Sequence, residues 1–125
     1  MLVPWVDNLP GLPADRSPDG ATWSNSIAVC AIMRDENTTD VREWLEYQQW
    51  LGIDHVFLTD NNSSSARTLL ATLRSAFPPS FLTLRQELQP KSQMKVYAWC
   101  AEQQRRHYNW IAFFDLDEFL VRIQA

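Results

Sequence analysis

With 125 residues, the chain is long enough for one domain, since domains typically span ~100–200 residues. Its net charge of −4 and its 11 scattered basic residues argue against nucleic-acid binding. Hydrophobic residues make up 46% of the chain, enough for a packed core, but no continuous apolar run reaches the ~18–20 residues of a membrane span.

The first 25 residues contain four of the seven prolines and two of the three glycines. No hydrophobic period is visible there, so we predict an irregular lead-in over residues 1–25 and a single domain over residues 26–125. The opening segment is too short and too uncharged to be a signal peptide.

The first predicted elements are a strand and a helix. Residues 27–33 form a nearly continuous apolar run, typical of a strand buried on both faces. An amphipathic helix follows and ends at Gly52, and its inward stripe is Val41, Trp44, Leu45 and Leu51. Its N-cap is predicted among Thr38, Thr39 and Asp40, with a capping box formed by Asp40 and Glu43.

Three more strands and two more helices are predicted downstream. The strands cover residues 53–59, 81–84 and 110–114. The second helix follows the serines at 63–65 and ends before two prolines, with Leu69, Leu70, Leu73 and Phe77 inward. The third covers residues 91–107, with Met94, Tyr97, Ala98 and Ala101 inward. Alternating strands and helices predict an α/β fold, a Rossmann-like parallel sheet with helices on both faces.

Two cysteines are too few for a disulfide framework. Cys30 lies in the first predicted strand and Cys100 in the third predicted helix, and we interpret them as buried thiols. A single bridge is the alternative if the chain resides in a secretory lumen. Neither they nor the two histidines have the spacing of a zinc site.

Polar residues follow three of the predicted strands, at 34–37, 60–63 and 115–118. Ligands of open α/β sheets bind outside the carboxyl ends of the strands, so these loops are expected to form one acidic, amide-rich crevice. Asp115 and Asp117 form a D-x-D motif after an apolar strand, and such carboxylates suit Mg²⁺ or Mn²⁺ beside a phosphate.

Each loop also has a simpler interpretation. Asp60 and Asn61 suit a turn followed by serine caps, while Glu36 and Asp117 suit ordinary solvated carboxylates. Convergence at one sheet edge favours a site. Past the lead-in Gly52 is the only glycine, which excludes a glycine-rich dinucleotide or P-loop cradle. A diphosphate bound here would therefore need a metal.

Five segments resemble glycosyltransferase family 92 and, more broadly, family-2-like transferases of GT-A fold. They are residues 29–36 (VCAIMRDE), 43–47 (EWLEY), 51–55 (LGIDH), 58–64 (LTDNNSS) and 110–120 (WIAFFDLDEFL). The resemblance implies a donor-binding GT-A half. It also implies metal-dependent, inverting transfer of a hexose, typically galactose, from a UDP-sugar to a glycan hydroxyl, with Mn²⁺ or Mg²⁺ as cofactor.

The resemblance also implies roles for individual residues. Arg34 and Glu36 would line the base and ribose pocket, and Asp60 with Asn61 would contact the nucleotide. Lys91, Gln93 and Lys95 would face the diphosphate. Asp115 and Asp117 would surround the metal, with Asp117 the direct ligand.

The general base is expected beyond Ala125, so we predict that the chain binds UDP with Mn²⁺ but transfers little sugar. The resemblance implies a Golgi or secretory-pathway membrane protein with an N-terminal anchor. This chain shows no membrane span, so a cytoplasmic or soluble protein is the alternative. We also expect the flank of the last strand to be an uncovered edge. Alternatives are an inactive nucleotide- or partner-binding remnant, and a haloacid-dehalogenase-type phosphatase with Asp115 as nucleophile. The phosphatase expects Thr or Val where this chain has Phe119.

Overall fold

The computed structural model describes residues 2–4, 26–119 and 121, which form one sheet flanked by helices. In chain order the elements are β1 (Leu2–Pro4), β2 (Ile27–Met33), α1 (Thr38–Leu51), β3 (His55–Asp60), α2 (Ala66–Ala76), β4 (Leu82–Gln86), α3 (Gln93–Gln104) and β5 (Trp110–Phe114). The sheet order is β1-β5-β2-β3-β4. Strands β2 to β5 are mutually parallel, which confirms the predicted α/β class.

Strand β1 lies inside the segment predicted to be an irregular lead-in. It pairs antiparallel with β5, with Leu2 opposite Ala112 and Pro4 opposite Trp110. The flank of β5 that we expected to be uncovered is therefore paired over these three residues. The rest of the predicted lead-in lies outside the described residues.

The core lies mainly between the sheet and helices α1 and α2. Successive strand residues point to opposite faces, so Val29, Ala31 and Met33 of β2 face this larger cluster. Cys30 points the other way, into a smaller cluster with Cys100 and Ile111 under α3. The predicted inward residues of the first two helices are buried or packed against the core, as the hydrophobic period indicated.

Helix α1 begins one to three residues earlier than the predicted N-caps allow, because Asn37 is its N-cap. The Asn37 Oδ1 accepts hydrogen bonds from the backbone N–H of Thr39 at 2.8 Å and of Asp40 at 3.4 Å. Asparagine caps as well as aspartate does, and here it occupies the position before the first helical residue. The predicted Asp40–Glu43 capping box is therefore wrong. The predicted end is confirmed, since Gly52 adopts the left-handed conformation with φ 96°.

The prediction for the inward face of α3 is largely wrong. Met94 is 78% exposed and Ala98 is also exposed, whereas Val96 and Cys100 are buried against the sheet. Tyr97 and Ala101 are half-buried. Residues 96–101 are all apolar, so no helical period distinguishes one face of α3 from another.

The two cysteines form a disulfide, so the interpretation as free buried thiols is wrong and the single bridge is right. Cys30 faces α3 from the middle of β2, and the two Cα atoms lie 6.3 Å apart, within the usual range for a disulfide. Neither local sequence carries a signal for this pairing, which depends on the strand face and the helix rotation. Among the described residues, no helix combines the length and apolarity needed to cross a membrane.

Candidate functional site

The order in which the chain adds strands to the sheet reverses next to β2. Strands β2, β3 and β4 follow one another outward, and α3 then returns the chain to β5 on the other side of β2. The loops after β2 and β5 therefore diverge, and this is the place where open α/β sheets bind ligands. A cleft of about 720 Å³ lies there.

Most of the site residues predicted from the sequence line this cleft. Its lining includes Arg34, Glu36, Asn61, Lys91, Gln93, Asp115 and Asp117. These come from the loops after β2, β3 and β5 and from the start of α3, so the predicted convergence of loops is present. Asp60 and Lys95 are not part of the lining.

Asp60 is fully buried and organises two loops. Its carboxylate accepts hydrogen bonds from the backbone N–H of Ser63, at 3.0 Å, and from the Ser63 hydroxyl. The Ser63 Oγ in turn accepts a hydrogen bond from the Asp35 backbone N–H at 2.7 Å, and Asp35 Oδ1 accepts one from Ser64 N–H at 2.8 Å. Asp60 therefore has the local turn role that the simpler interpretation offered, and it fixes the loop that carries Arg34 and Glu36.

Asn61 connects the end of β3 to the segment before α3. Its Nδ2 donates to the backbone carbonyls of Glu87, at 2.8 Å, and Gln89, at 2.6 Å. The side chain is buried yet reaches the wall of the cleft. Asn61 thus holds the segment before α3 in place, and this segment leads to Lys91 in the wall of the cleft.

The acidic loop after β5 is a closed turn. The Asp115 backbone N–H donates to Glu118 Oε1 at 2.9 Å, and the Glu118 N–H donates to the Asp115 carbonyl at 3.0 Å. Asp115 Oδ1 accepts a hydrogen bond from Gln93 Nε2 at 3.2 Å, which links the loop to α3. No described residue hydrogen-bonds the Asp117 side chain, and Asp117 is exposed in the cleft.

Helix α1 supplies two carboxylates that sequence reasoning assigned to a cap. Asp40 and Glu43 line the cleft together with Glu36, Asp115 and Asp117. Among the described residues, the cationic side chains of the lining are Arg34 and Lys91. Arg34 lies 3.9 Å from Asp35 in an exposed pair of little strength. Five carboxylates against two cations make the cleft strongly electronegative. The sequence signal that could have placed Asp40 and Glu43 beside Glu36 is their spacing of three to four residues, which puts helical side chains on one face.

The start of α3 faces the cleft without a side-chain cap. Ser92 occupies the N-cap position, but its hydroxyl donates to the Gln89 carbonyl at 2.6 Å rather than capping the helix. The first turn carries no acidic residue, so the partial positive charge of the helix end is not neutralised.

Lys95 was predicted to face a diphosphate, but it is engaged elsewhere. Its Nζ lies 2.9 Å from Glu87 Oε1 and 3.0 Å from Gln89 Oε1. Its hydrogen bond to Glu87 lowers the pKa of that carboxyl below the usual value. This ion pair fixes the segment before α3 and leaves Lys91 as the lysine of the cleft.

In the part of the chain that the structure describes, three non-glycine residues have left-handed backbones, and all three lie in the loops around the cleft. Asp35 has φ 52°, Asn62 has φ 62° and Lys91 has φ 54°. Asp and Asn tolerate this conformation, but for a long side chain such as lysine it is strained. Strained residues of this kind concentrate at functional sites.

The carboxylates of the cleft fit a divalent cation only in part. Within the described ranges, no three His, Cys, Asp or Glu side chains are grouped so that they could hold a metal by themselves. Asp115 and Asp117 supply hard oxygen donors, as Mg²⁺ or Mn²⁺ prefers. Such an ion would need further oxygens from water or from a phosphate-bearing ligand.

Comparison with known proteins decides the family. The model of glycosyltransferase family 92 matches residues 25–124. The chain belongs to glycosyltransferase family 92. Similar family 92 proteins occur in rice (Oryza sativa subsp. japonica), 34% identical over 100 residues, and in Arabidopsis thaliana, 30% identical over 97 residues. A third, from Ricinus communis, is 26% identical over 116 residues.

These family 92 relatives are much longer than the chain. The matches cover 78%, 76% and 91% of this chain but only 16%, 16% and 19% of the rice, Arabidopsis and Ricinus proteins. The chain therefore spans less than a fifth of the relatives' length. No solved structure matches it.

Proposed function

We propose that the chain is the donor-binding part of a family 92 glycosyltransferase, with a UDP-sugar as ligand and Mn²⁺ or Mg²⁺ as cofactor. The observation that carries the proposal is the cleft at the sheet reversal, where Arg34, Asn61, Lys91 and the Asp115–Asp117 pair meet. Family membership supplies the reaction class, which is transfer of a sugar to an acceptor hydroxyl. The finer expectations are galactose as the sugar, a glycan acceptor, and inversion at the anomeric carbon.

The charge of the cleft supports metal dependence. A nucleotide diphosphate is an anion, and a cleft with five carboxylates and two cations would repel it. A divalent cation removes this repulsion. Within the Asp115–Asp117 pair, Asp115 accepts a hydrogen bond from Gln93, whereas no described residue donates one to Asp117. Asp117, supported by Asp115, would hold the ion together with phosphate oxygens. When bound, it would supply Lewis-acid stabilisation of the charge that develops on the leaving diphosphate.

The residues at the start of α3 would hold the diphosphate. The ammonium group of Lys91 and the uncapped backbone N–H groups of the first turn both attract phosphate. Gln93 keeps Asp115 adjacent to this helix end through its 3.2 Å hydrogen bond. The diphosphate would therefore lie between the α3 end and the acidic loop.

The loops after β2 and β3 would hold the nucleoside. Carboxylates accept hydrogen bonds from ribose hydroxyls, which suits Glu36, and Arg34 can stack on or donate to a base. Asp60 is buried and bonded to Ser63, so we assign it the role of positioning this loop.

Binding without efficient transfer is the expected behaviour of this chain alone. Inverting transfer needs a base to take the proton of the acceptor hydroxyl as its oxygen attacks the anomeric carbon. Glu118 already accepts a hydrogen bond from Asp115 N–H, so we do not assign it this task. The relatives are several times longer, and we place the base in the part of them that this chain does not match.

Calorimetric titration of UDP with and without Mn²⁺ tests the proposal. We expect binding that requires Mn²⁺, and Asp117→Ala should weaken it by at least about tenfold, or ~1.4 kcal/mol. Glu102→Gln, an exposed carboxylate on the far half of α3, is the matched control and should bind as the unsubstituted chain does. Absence of Mn²⁺-dependent binding would leave an inactive remnant as the better description. Rapid sugar transfer by the chain alone would contradict the placement of the base.

A further inference from the structure

Helix α3 is held to the sheet by few side chains. It is the only described helix on its face, and its only buried residues are Val96 and Cys100. Helix α1 buries four residues and shares a large core with α2, which buries three. Fewer fully buried side chains therefore attach α3 than attach α1 or α2, although the N-terminal end of α3 forms a wall of the cleft.

A covalent bond lies at the centre of this attachment. The Cys30–Cys100 disulfide joins the middle of β2 to α3 across a sequence separation of 70 residues. Both cysteines are almost completely buried, at 1% and 2% exposure. Cys100 is two helical turns from Gln93, the residue that contacts Asp115.

Several other contacts of α3 lie nearer the surface than the disulfide. Tyr97 OH donates to the Phe114 carbonyl at 3.3 Å, Lys95 pairs with Glu87, and the Arg85 guanidinium lies 3.9 Å from the centre of the Trp99 ring. Lys95 and Trp99 are exposed, so water competes for these contacts. Without the disulfide, the direction of α3 would depend on Val96, on the half-buried Tyr97 and Ala101 that pack against the same cluster, and on these contacts.

We infer that the Cys30–Cys100 disulfide is the positioning element for the Lys91–Gln93 wall, so that the cleft is complete only in the oxidised chain. This inference deepens the proposed function, because the wall it positions is the proposed diphosphate site. It also implies folding in an oxidising compartment, where such bonds persist.

The bond forms by exchange with another disulfide, for example oxidised glutathione. A thiolate of one cysteine attacks that disulfide and releases one glutathione thiolate. The second cysteine then attacks the mixed disulfide and releases the other. Two electrons pass from the cysteines to glutathione, and the two protons of the cysteine thiols end on the two glutathione molecules or in solvent.

Hydrogen exchange and UDP titration on the same samples test the inference. The samples are the oxidised chain, the chain reduced with tris(2-carboxyethyl)phosphine, and the Cys30→Ala/Cys100→Ala variant with and without that reductant. We expect reduction to speed amide exchange in α3 by at least about tenfold while α1 is unchanged, because local openings report local attachment. The Mn²⁺-dependent affinity for UDP should fall by about tenfold or more on reduction. The double variant should show the exchange rates and UDP affinity of the reduced chain, and the reductant should change neither.

Three results would overturn the inference. They are equal exchange of α3 in oxidised and reduced chains, loss of protection in α1 together with α3, and free thiols in a chain folded with oxidised glutathione. The second would mean that the bond holds the whole domain rather than one wall of the cleft. The exchange measurement needs no ligand, so failure of UDP to bind the oxidised chain would count against the proposed function alone.

Discussion

The indole of Trp44 donates a hydrogen bond from Nε1 to the backbone carbonyl of Glu118, at 2.9 Å. Trp44 is fully buried in α1, while Glu118 closes the acidic loop 74 residues later in the chain. The bond joins one wall of the cleft to the loop that carries Asp115 and Asp117. A core residue thus sets the position of the proposed metal ligands.

The Trp44 bond predicts that Trp44→Phe will weaken UDP binding as well as the fold. Phenylalanine keeps most of the packing but cannot donate a hydrogen bond, so the free energy of unfolding should fall by ~1–3 kcal/mol. The acidic loop loses its connection to α1, and we expect the Mn²⁺-dependent UDP affinity to fall by about threefold to tenfold, or ~0.7–1.4 kcal/mol. Urea unfolding and calorimetry measure the two effects.

Trp50→Phe is the matched control for that substitution. Trp50 lies on the same helix but is 78% exposed, so its replacement should change neither stability nor affinity measurably. If Trp44→Phe destabilises the fold yet binds UDP as tightly as the unsubstituted chain, the bond to Glu118 has no role in positioning the loop.

The four parallel strands, the first two helices and most of the cleft lining could be predicted from the sequence, because each depends on a local pattern. Apolar runs marked the strands, a helical period marked the inward faces of α1 and α2, and parallel strands brought polar loops to one edge. Arg34, Asn61 and Asp115 could be assigned to the cleft because they follow directly after strand residues.

What could not be predicted depends on contacts between residues far apart in sequence. The disulfide needs Cys30 on the strand face that meets the Cys100 side of α3, and no local pattern fixes that rotation. Asp60 resembled a ligand because it follows a strand. Its bonds to Ser63 are local, but its full burial and the link from Ser63 to Asp35 depend on residues far apart in sequence. The Trp44 bond to Glu118 has no sequence signal at all.

Gln48 is an unfavourable residue in the core, and its replacement should stabilise the chain. The side chain of Gln48 is fully buried in α1, and neither its Nε2 nor its Oε1 has a partner among the described residues. A buried amide without hydrogen bonds costs ~1–3 kcal/mol relative to an apolar group of similar shape. Gln48→Met should therefore raise the free energy of unfolding by ~1–2 kcal/mol in urea denaturation.

The neighbouring Gln49→Met is the control for Gln48→Met. Gln49 is exposed on the same helix, so this substitution should shift stability by less than ~0.5 kcal/mol. A Gln48→Met chain that is no more stable than the unsubstituted chain would mean that the Gln48 amide is satisfied, for example by a buried water molecule.

Lys91 has a strained backbone in the wall of the cleft. We predict that Lys91→Gly weakens UDP binding without lowering the stability of the fold. The left-handed backbone at φ 54° is costly for lysine but free for glycine, although glycine adds entropy to the unfolded chain. We expect the free energy of unfolding to stay level or rise by up to ~1 kcal/mol. UDP affinity should fall by about tenfold, or ~1.4 kcal/mol, because the ammonium group is lost. Lys91→Arg, which keeps the charge, should retain binding, and a clear loss of stability in Lys91→Gly would contradict the argument from strain.

His55 makes the stability of the chain depend on pH. The ring is buried at the start of β3, with Nδ1 donating to the Ser80 carbonyl at 3.0 Å and Nε2 accepting from the Thr83 hydroxyl at 2.7 Å. Burial lowers the pKa of His55 below its ordinary value, while the hydrogen bond to Ser80 partly opposes this. Folding therefore favours the neutral form of the ring.

The sign of the effect follows from which state binds the proton. Above about pH 6.5 the ring is mainly neutral in both the folded and the unfolded chain. Below about pH 6.5 the unfolded chain binds a proton at this ring more readily than the folded chain does. The free energy of unfolding should therefore fall as the pH decreases from 7.5 to 5.5. His55→Gln should flatten this slope in urea titrations, whereas His107→Gln, on an exposed histidine, should preserve it. An unchanged slope in His55→Gln would show that another group causes the loss of stability in acid.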